Sequence, residues 1–188
     1  MKAPAPDGRP LPAWLGMGPA LGLWRLAGRA ALDLAARGLT LATAESLSGG
    51  WLSAALTSVQ GSSGYFMAGI AAYSNEAKMD LLGVAREALE AHGAVSWQVA
   101  EQMALGARKA ARASIGLSTT GVAGPDGGSA EKPVGLVFVA AADGRRAESR
   151  GITLPGDRLE VSIAAAGAAL DFLSGFLSGG HPRARGTT

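Results

Sequence analysis

Two serines and two glycines follow an apolar run in the segment AESLSGG, residues 44–50. A serine hydroxyl can attack a carbonyl carbon, and unpaired backbone N–H groups at the start of a following helix can hold the oxyanion that forms. Gly49 and Gly50 would let a substrate approach the backbone closely. Because Ser46 and Ser48 are also preferred helix caps, this segment leaves a catalytic and a capping interpretation open.

A tyrosine, a serine, an asparagine and a lysine lie close together in YSNEAK, residues 73–78. Tyr73 ends a predicted strand, and Lys78 falls in the first turn of the helix predicted to follow it. The positive end of a helix dipole favours the neutral form of lysine, which is the form that a general base must have. The alternative is that Lys78 reaches solvent or pairs with Glu76 or Asp80.

The longest internal loop, TGVAGPDGGSAEKPVG at residues 120–135, contains five glycines and two prolines. Exposed N–H groups in such a loop can bind phosphate or carboxylate, and Lys132 could add positive charge. The spacing of its glycines matches neither the phosphate-binding P-loop nor the dinucleotide-binding motif, so a structural crossover is the alternative. Arg158 opens the last predicted helix and either faces the same region or pairs locally.

The elements that must position these segments are alternating helices and strands. Helices are predicted over residues 23–37, 49–59, 97–113 and 157–177, with a short helix ending at Leu82 and a short turn at 86–91, and strands over 39–44, 66–73, 115–120, 134–142 and 148–154. This order predicts one three-layer α/β/α domain with a mixed, mostly parallel sheet. Ligands bind at the carboxyl ends of strands in such sheets, and each of the three segments follows a strand. We therefore predict that they share one edge of the sheet.

The predicted domain covers residues 22–177. Residues 1–21 and 178–188 are rich in proline, glycine and arginine and are predicted to be disordered tails. The chain shows no clean signal-peptide core and no predicted transmembrane helix. We therefore expect a cytoplasmic location and no membrane partner.

The composition excludes several kinds of chemistry. The 188 residues include no cysteine, which excludes disulfides, thiolate metal sites and a cysteine nucleophile. Only His92 and His181 are histidines, so we predict no metal site, and a serine–histidine–aspartate triad would have to use His92, which we interpret as a turn residue. The net charge is +2 and the sequence has no dense basic stripe, so no nucleic-acid partner is expected.

Five segments in order, AESLSGG, GIAAYSNEAK, LEAHGAVS, TGVAGPDGGSAEKPVG and LPGDRLEV, resemble the C-terminal domain family of the competence/damage-inducible protein CinA. The resemblance covers about residues 22–177. It implies a three-layer α/β/α fold and, as in the nicotinamide-nucleotide amidohydrolases of that family, hydrolysis of nicotinamide mononucleotide to nicotinic acid mononucleotide and ammonia in pyridine nucleotide salvage. It implies no metal and no organic cofactor.

The resemblance also implies roles for residues. Ser46 would attack the carboxamide, and Lys78 with Tyr73 would take its proton, although the sequence does not decide whether Ser46 or Ser48 attacks. N–H groups near Ser48, Gly49 and Gly50 would hold the oxyanion. The residues predicted to contact substrate are Glu45, Ser48, Gly49, Gly50, Asn75, Gly121, Gly124, Gly127, Gly128 and Arg158, among which Glu45 is interpreted as a carboxylate that orients the loop. Ser162 stands where the family commonly has an arginine.

Two alternatives to this reaction stay open. The same pocket could serve a catalytically inactive module that binds a nucleotide or a competence- or damage-related partner, or an amidohydrolase for a different amide. A homo-oligomer is also predicted, because the alanine- and glycine-rich last helix could pack tightly against a second copy.

Overall fold

Six α-helices and five strands follow one another in the computed structural model, which describes residues 19–179. Their bounds are α1 Pro19–Arg37, β1 Leu41–Glu45, α2 Trp51–Thr57, β2 Phe66–Ala71, α3 Asn75–Leu82, α4 Arg86–His92, α5 Trp97–Ala111, β3 Ile115–Gly121, β4 Leu136–Ala142, β5 Ala147–Thr153 and α6 Arg158–Leu177. The order agrees with the order predicted from the apolar periodicity except at residues 86–92, where a short turn was predicted and the helix α4 is found. Most other boundaries differ by one or two residues.

The sheet is mixed, with the strand order β2-β1-β3-β4-β5. β1 pairs parallel with β2 and β3, whereas β4 pairs antiparallel with β3 and β5. Only β4 therefore runs in the direction opposite to the other four strands. Of the four pairs of neighbouring strands, two are parallel and two are antiparallel, so the sheet is not mostly parallel in its pairing, contrary to the prediction. The reason is that the short turn at residues 143–146 joins β4 to β5, and a turn of this length can connect only antiparallel strands.

Helices cover both faces of the sheet. One apolar cluster joins α1, α2 and α6 to strand residues such as Leu117 and Val139, and others join α3, α4 and α5 to Ala42 and Ala140. Side chains from neighbouring positions of each strand thus enter opposite helical layers, as the pleat of a strand requires. The prediction of a three-layer α/β/α domain is confirmed.

The first helix begins earlier than predicted. α1 starts at Pro19, a residue type whose fixed backbone angle and missing N–H suit the first position of a helix. Residues 19–21, which the sequence assigned to a disordered tail, therefore belong to α1. Residues 1–18 and 180–188, including His181, lie outside the described residues. Ser178 and Gly179 form the turn that ends α6.

The last helix is long and apolar enough to cross a membrane by length and composition, a property that was not predicted from the sequence. Within its most apolar window 72% is buried inside the domain. Both faces that α6 presents are covered, one by α1 and α2 and the other by the sheet, so its apolar composition is explained by its place in the core.

Two glycines allow α5 to approach its neighbours closely. A Cβ at Gly116 of β3 would lie 1.9 Å from the carbonyl oxygen of Ala104, and one at Gly106 would lie 2.0 Å from that of Leu82. Hydroxyls add polar links, because Ser118 Oγ donates to the Ala100 carbonyl at 2.6 Å. This close packing fixes α5, and with it the loop that precedes α5, against the carboxyl end of β3.

Candidate active site

A cleft of about 200 Å³ lies where β1, β2 and β3 end. In the parallel registers Glu45 pairs with Ala71 and with Thr119, so the three strands end at the same level of the sheet. The residues that line the cleft are Ser46, Leu47, Tyr73, Asn75, Lys78, Ala94, Val95, Thr120, Gly121, Ala123 and Arg158. The structure therefore brings one part of each of the three predicted segments to one site.

Ser46 is the first residue after β1 and lines this cleft. Its backbone N–H donates to the Thr119 carbonyl at 3.0 Å, and its carbonyl accepts from the Gly49 N–H at 3.2 Å. The side chain is half-buried, and its hydroxyl forms no hydrogen bond with any residue in the range 19–179. The backbone of Ser46 is thus fixed while its Oγ is available to a substrate.

Glu45, one residue earlier, points away from the cleft and is 1% exposed. Its Oε2 accepts hydrogen bonds from Ser48 Oγ at 2.8 Å and from the N–H groups of Gly50 and Leu52, both at 3.0 Å. Its Oε1 accepts from the Ser53 N–H at 2.9 Å and from Ser53 Oγ. The carboxylate therefore satisfies the N–H groups that open α2, as an N-cap side chain would.

Ser48 has a structural role in the same network. It is completely buried, and its Oγ lies 2.7 Å from Thr119 Oγ1 as well as 2.8 Å from Glu45. Neither Glu45 nor Ser48 lines the cleft. The cleft therefore does not support their predicted contacts with substrate, whereas the interpretation of Glu45 as an orienting carboxylate agrees with its hydrogen bonds to the start of α2.

The N–H groups of Gly49 and Gly50 are also occupied. The Gly49 N–H donates to the Ser46 carbonyl, and the Gly50 N–H donates to Glu45. Gly50 takes a left-handed backbone conformation (φ 109°) that lets the loop turn back on Glu45. Neither glycine lines the cleft, so the structure does not support their predicted role in holding an oxyanion. Sequence reasoning missed this because the partner is a glutamate that precedes the helix by several residues.

Lys78 lies in the first turn of α3, which is capped by the hydroxyl of Ser74. It is 1% exposed, so the alternative in which it reaches solvent is wrong. Its Nζ donates to the carbonyl oxygens of Ala72 at 3.0 Å, Tyr73 at 2.8 Å and, more weakly, Ser74 at 3.5 Å. Burial lowers the pKa of the Lys78 amine, and the Glu76 carboxylate only partly opposes this effect.

Tyr73 lines the cleft but directs its hydroxyl toward Arg158. The tyrosine is 65% exposed, and its Oη accepts a hydrogen bond from Arg158 Nη2 at 2.8 Å. Its link to Lys78 is made by its backbone carbonyl and not by the phenol. Tyr73 was predicted to act with Lys78 in taking the serine proton, whereas in this structure its hydroxyl contacts Arg158 and not Lys78.

The glycine-rich loop enters the cleft only at its beginning. Gly121 and Ala123 line the cleft, whereas Gly124, Gly127 and Gly128 do not. Gly124 acts through its carbonyl oxygen, which accepts from Arg158 Nη1 at 2.8 Å. Farther along, Lys132 Nζ donates to the His92 carbonyl and ties the loop to the end of α4. The cleft thus does not support the predicted substrate contacts of Gly124, Gly127 and Gly128, and Gly124 instead orients Arg158.

Several lining residues had no signal in the sequence. Leu47, Ala94, Val95, Thr120 and Ala123 are of types that occur throughout cores and loops. The loop before α5 is held in place because Thr120 Oγ1 donates to the Ala94 carbonyl at 2.7 Å. Its position over the cleft depends on this tertiary contact and could not be derived from local pattern. His92, at the end of α4, does not line the cleft.

Arg158 and Ser162 lie on the same side of α6. Arg158 is its first residue, and Ser162 Oγ donates to the Arg158 carbonyl one turn later at 2.8 Å. Ser162 is buried and does not line the cleft. Within residues 19–179 no group of three or more histidine, aspartate or glutamate side chains is arranged to hold a metal ion.

The fold and the site define a class of protein, namely a three-layer α/β/α domain in which a serine and a buried lysine line one cleft at the carboxyl edge of a mixed sheet. The sequence matches the CinA C-terminal domain over residues 24–177, and the chain belongs to that family. It is 48% identical over 149 residues to a CinA-like protein of Geobacter, covering 79% of this chain and 36% of that protein. The chain spans about a third of the length of the curated relatives that it matches.

Solved structures show the same relationship. A competence/damage-inducible protein from Agrobacterium tumefaciens aligns with a TM-score of 0.79 at 42% identity, covering 84% of this chain and 96% of that one. A CinA superfamily protein from Klebsiella pneumoniae aligns with a TM-score of 0.80 at 34% identity, covering 84% and 98%. These similarities agree with the family and with the fold described above.

Proposed function

We propose that the protein is an amidohydrolase that converts nicotinamide mononucleotide to nicotinic acid mononucleotide and ammonia. The observation that supports this most strongly is that Ser46 and Lys78 line one cleft, the first with a free hydroxyl and the second with a buried amine of lowered pKa. A serine needs a base to become a nucleophile at neutral pH. Among the residues that line the cleft, Lys78 is the one that can act as this base.

In the first step Ser46 Oγ attacks the carboxamide carbon while Lys78 Nζ accepts the hydroxyl proton. A neutral amine carries two N–H bonds, and the two shorter contacts of Nζ, to Tyr73 and Ala72, match that number. The remaining contact, to Ser74, is long at 3.5 Å. The carbonyls thus hold the amine in place and leave its lone pair for the proton.

The oxyanion of the tetrahedral intermediate needs donors that the protein itself does not use. Within residues 19–179, the backbone N–H group of Leu47 forms no hydrogen bond with protein, and Leu47 directly follows Ser46 and lines the cleft. It therefore replaces Gly49 and Gly50 as the proposed donor. The Glu45 network holds this loop in shape before substrate arrives, which is the condition for electrostatic stabilisation of the transition state.

The second half of the reaction reverses the proton transfer. The C–N bond breaks as the Lys78 ammonium donates its proton to the carboxamide nitrogen, which leaves as ammonia, and an acyl-Ser46 ester remains. Water then adds to the ester carbonyl while Lys78 accepts one of its protons. Lys78 returns that proton to Ser46 Oγ as the ester C–O bond breaks, which frees the serine and yields the carboxylic acid product. The chain's own residues supply every proton transfer in this series of steps.

A homo-oligomer and a cytoplasmic location remain predictions from the amino-acid sequence.

The test measures ammonia release from nicotinamide mononucleotide by the wild type, Ser46→Ala and the control Ser58→Ala. Ser58 lies at the end of α2 and does not line the cleft. We expect Ser46→Ala to slow release at least about a thousandfold and Ser58→Ala to leave it unchanged. Tight nucleotide binding by a folded wild type without ammonia release would favour the inactive module instead, and release from other amides alone would favour a different substrate.

A further inference from the structure

Arg158 presents a fixed positive charge at the cleft. It lines the same cavity as Ser46 and Lys78, and two of its N–H groups are taken by the Gly124 carbonyl and the Tyr73 hydroxyl, each at 2.8 Å. Both acceptors are neutral groups. They fix the orientation of the guanidinium plane without neutralising its charge.

No carboxylate in the range 19–179 forms an ion pair with Arg158. The two acidic residues nearest to Arg158 in sequence are Asp157 and Glu160, and each side chain accepts a hydrogen bond from the backbone N–H of the other. Asp157 Oδ1 accepts from the Glu160 N–H and Glu160 Oε2 accepts from the Asp157 N–H, both at 2.9 Å. An arginine that is oriented by neutral acceptors and lacks a counter-ion is suited to an anion that comes from outside the chain.

Three of the five N–H bonds of a guanidinium remain after these two contacts. A planar guanidinium binds a phosphate through two parallel hydrogen bonds, which a lysine ammonium cannot do. Lys78, the other basic residue of the cleft, directs its donors to backbone carbonyls and is buried. Arg158 is exposed, so it is the cation that a group extending out of the cleft would meet.

The volume of the cleft also supports an anion-binding role for Arg158. Pockets that enclose a drug-sized ligand usually have roughly 300–1,000 Å³, and this cleft has about 200 Å³. It suits an aromatic carboxamide but not an entire mononucleotide. When the carboxamide lies at Ser46, the sugar phosphate must leave the cleft at its exposed side, where Arg158 lies.

We infer that Arg158, held by Tyr73 and Gly124, binds the phosphate monoester of the substrate and selects the nucleotide over the corresponding nucleoside. This inference rests on the proposed function for the position of the carboxamide. It assigns Tyr73 a positioning role at the phosphate end of the site. The structure thereby separates a reacting end, formed by Ser46 and Lys78, from an anion-binding end.

The first experiment measures kcat/KM for ammonia release from nicotinamide mononucleotide and from nicotinamide riboside. The variants are Arg158→Gln, Arg158→Lys and the control Arg145→Gln, which removes an equal charge from the β4–β5 turn at the opposite end of the sheet. We expect the nucleotide-to-riboside ratio to fall about ten- to a hundredfold in Arg158→Gln. It should fall less in Arg158→Lys and stay unchanged in Arg145→Gln. A ratio within about twofold of the wild type in Arg158→Gln would overturn the inference.

The second experiment does not depend on turnover, so it separates this inference from the proposed function. Ribose 5-phosphate and inorganic phosphate are titrated into the folded wild type, Arg158→Gln and Arg145→Gln by calorimetry. Weaker binding of ribose 5-phosphate in Arg158→Gln alone supports the phosphate site even if no ammonia is released. Equal binding by Arg158→Gln, or no binding by the wild type, overturns it. Inorganic phosphate that binds as tightly as ribose 5-phosphate would overturn the assignment to a sugar phosphate.

Discussion

Ser48 Oγ donates to Glu45 Oε2 at 2.8 Å, in the completely buried side of a loop whose other side presents Ser46 to the cleft. The two serines of one short segment therefore have different positions, although they are of the same type and only two residues apart. Ser48 belongs to the support of the loop, and Ser46 belongs to the cleft. This relationship is the structural basis for assigning the nucleophile to Ser46.

Substitution of Ser48, which supports the loop, should lower the stability of the protein more than it lowers the rate of ammonia release. Ser48→Ala leaves Glu45 with four of its five hydrogen bonds, and we expect it to lower the free energy of unfolding by about 1–2 kcal/mol. Ammonia release should stay within about tenfold of the wild type. Urea unfolding and the release assay measure the two quantities. A thousandfold slower reaction in a stable Ser48→Ala protein would instead identify Ser48 as the nucleophile.

Glu45→Gln should lower the free energy of unfolding more than Ser48→Ala does. The amide NH₂ of glutamine would face N–H and O–H donors where Oε1 or Oε2 now accepts hydrogen bonds, and a buried unsatisfied donor costs about 1–3 kcal/mol, in addition to the lost charge-assisted bonds. We expect a loss of about 3 kcal/mol or more in urea unfolding. Unfolding at the wild-type midpoint would show that the network contributes little.

The reaction should depend on the protonation of Lys78. Burial lowers the pKa of this amine, and only its neutral form can accept the proton of Ser46. The value of kcat/KM should therefore rise with increasing pH and level off above the Lys78 pKa, with a midpoint below the ordinary pKa of lysine. A pH–rate profile of the wild type measures this. A rate that falls with rising pH over the same range would contradict a lysine base.

Tyr73→Phe distinguishes a positioning role from a role in proton transfer. Because the phenol contacts Arg158 and not Lys78 Nζ, we expect the variant to raise KM for the nucleotide several-fold and to change kcat less than about fivefold. If the phenol instead carried the proton, its removal would lower kcat, typically by about a hundredfold or more. Steady-state kinetics of the two proteins separate these outcomes.

Much of the fold could be predicted from the sequence because local patterns determine it. The apolar run before AESLSGG ends where a strand ends. Ser74, Ser96 and Asp157 are of residue types preferred at the start of a helix, and in the structure each of them caps a helix. The meeting of three loops at one edge follows from the rule for parallel strands. The early start of α1 was missed because the Pro/Gly-rich composition of residues 1–21 outweighed the signal of Pro19.

The orientation of side chains at the site could not be predicted in the same way. That Glu45 turns back onto α2 depends on a left-handed Gly50, and that Tyr73 faces Arg158 depends on a contact across 85 residues of chain. Ala94 and Val95 enter the cleft only because Thr120 holds their loop. These features arise from tertiary contacts, which residue types and spacing do not encode.

The most direct test of the account compares ammonia release by Ser46→Ala, Lys78→Met and the double variant with that by the wild type. If the two residues act as one unit, either substitution alone removes nearly the whole serine-dependent rate. We predict that each single variant loses at least about a thousandfold and that the double variant is no slower than the slower single one. Losses that multiply in the double variant, or a folded wild type that releases no ammonia, would contradict a Ser46–Lys78 catalytic pair.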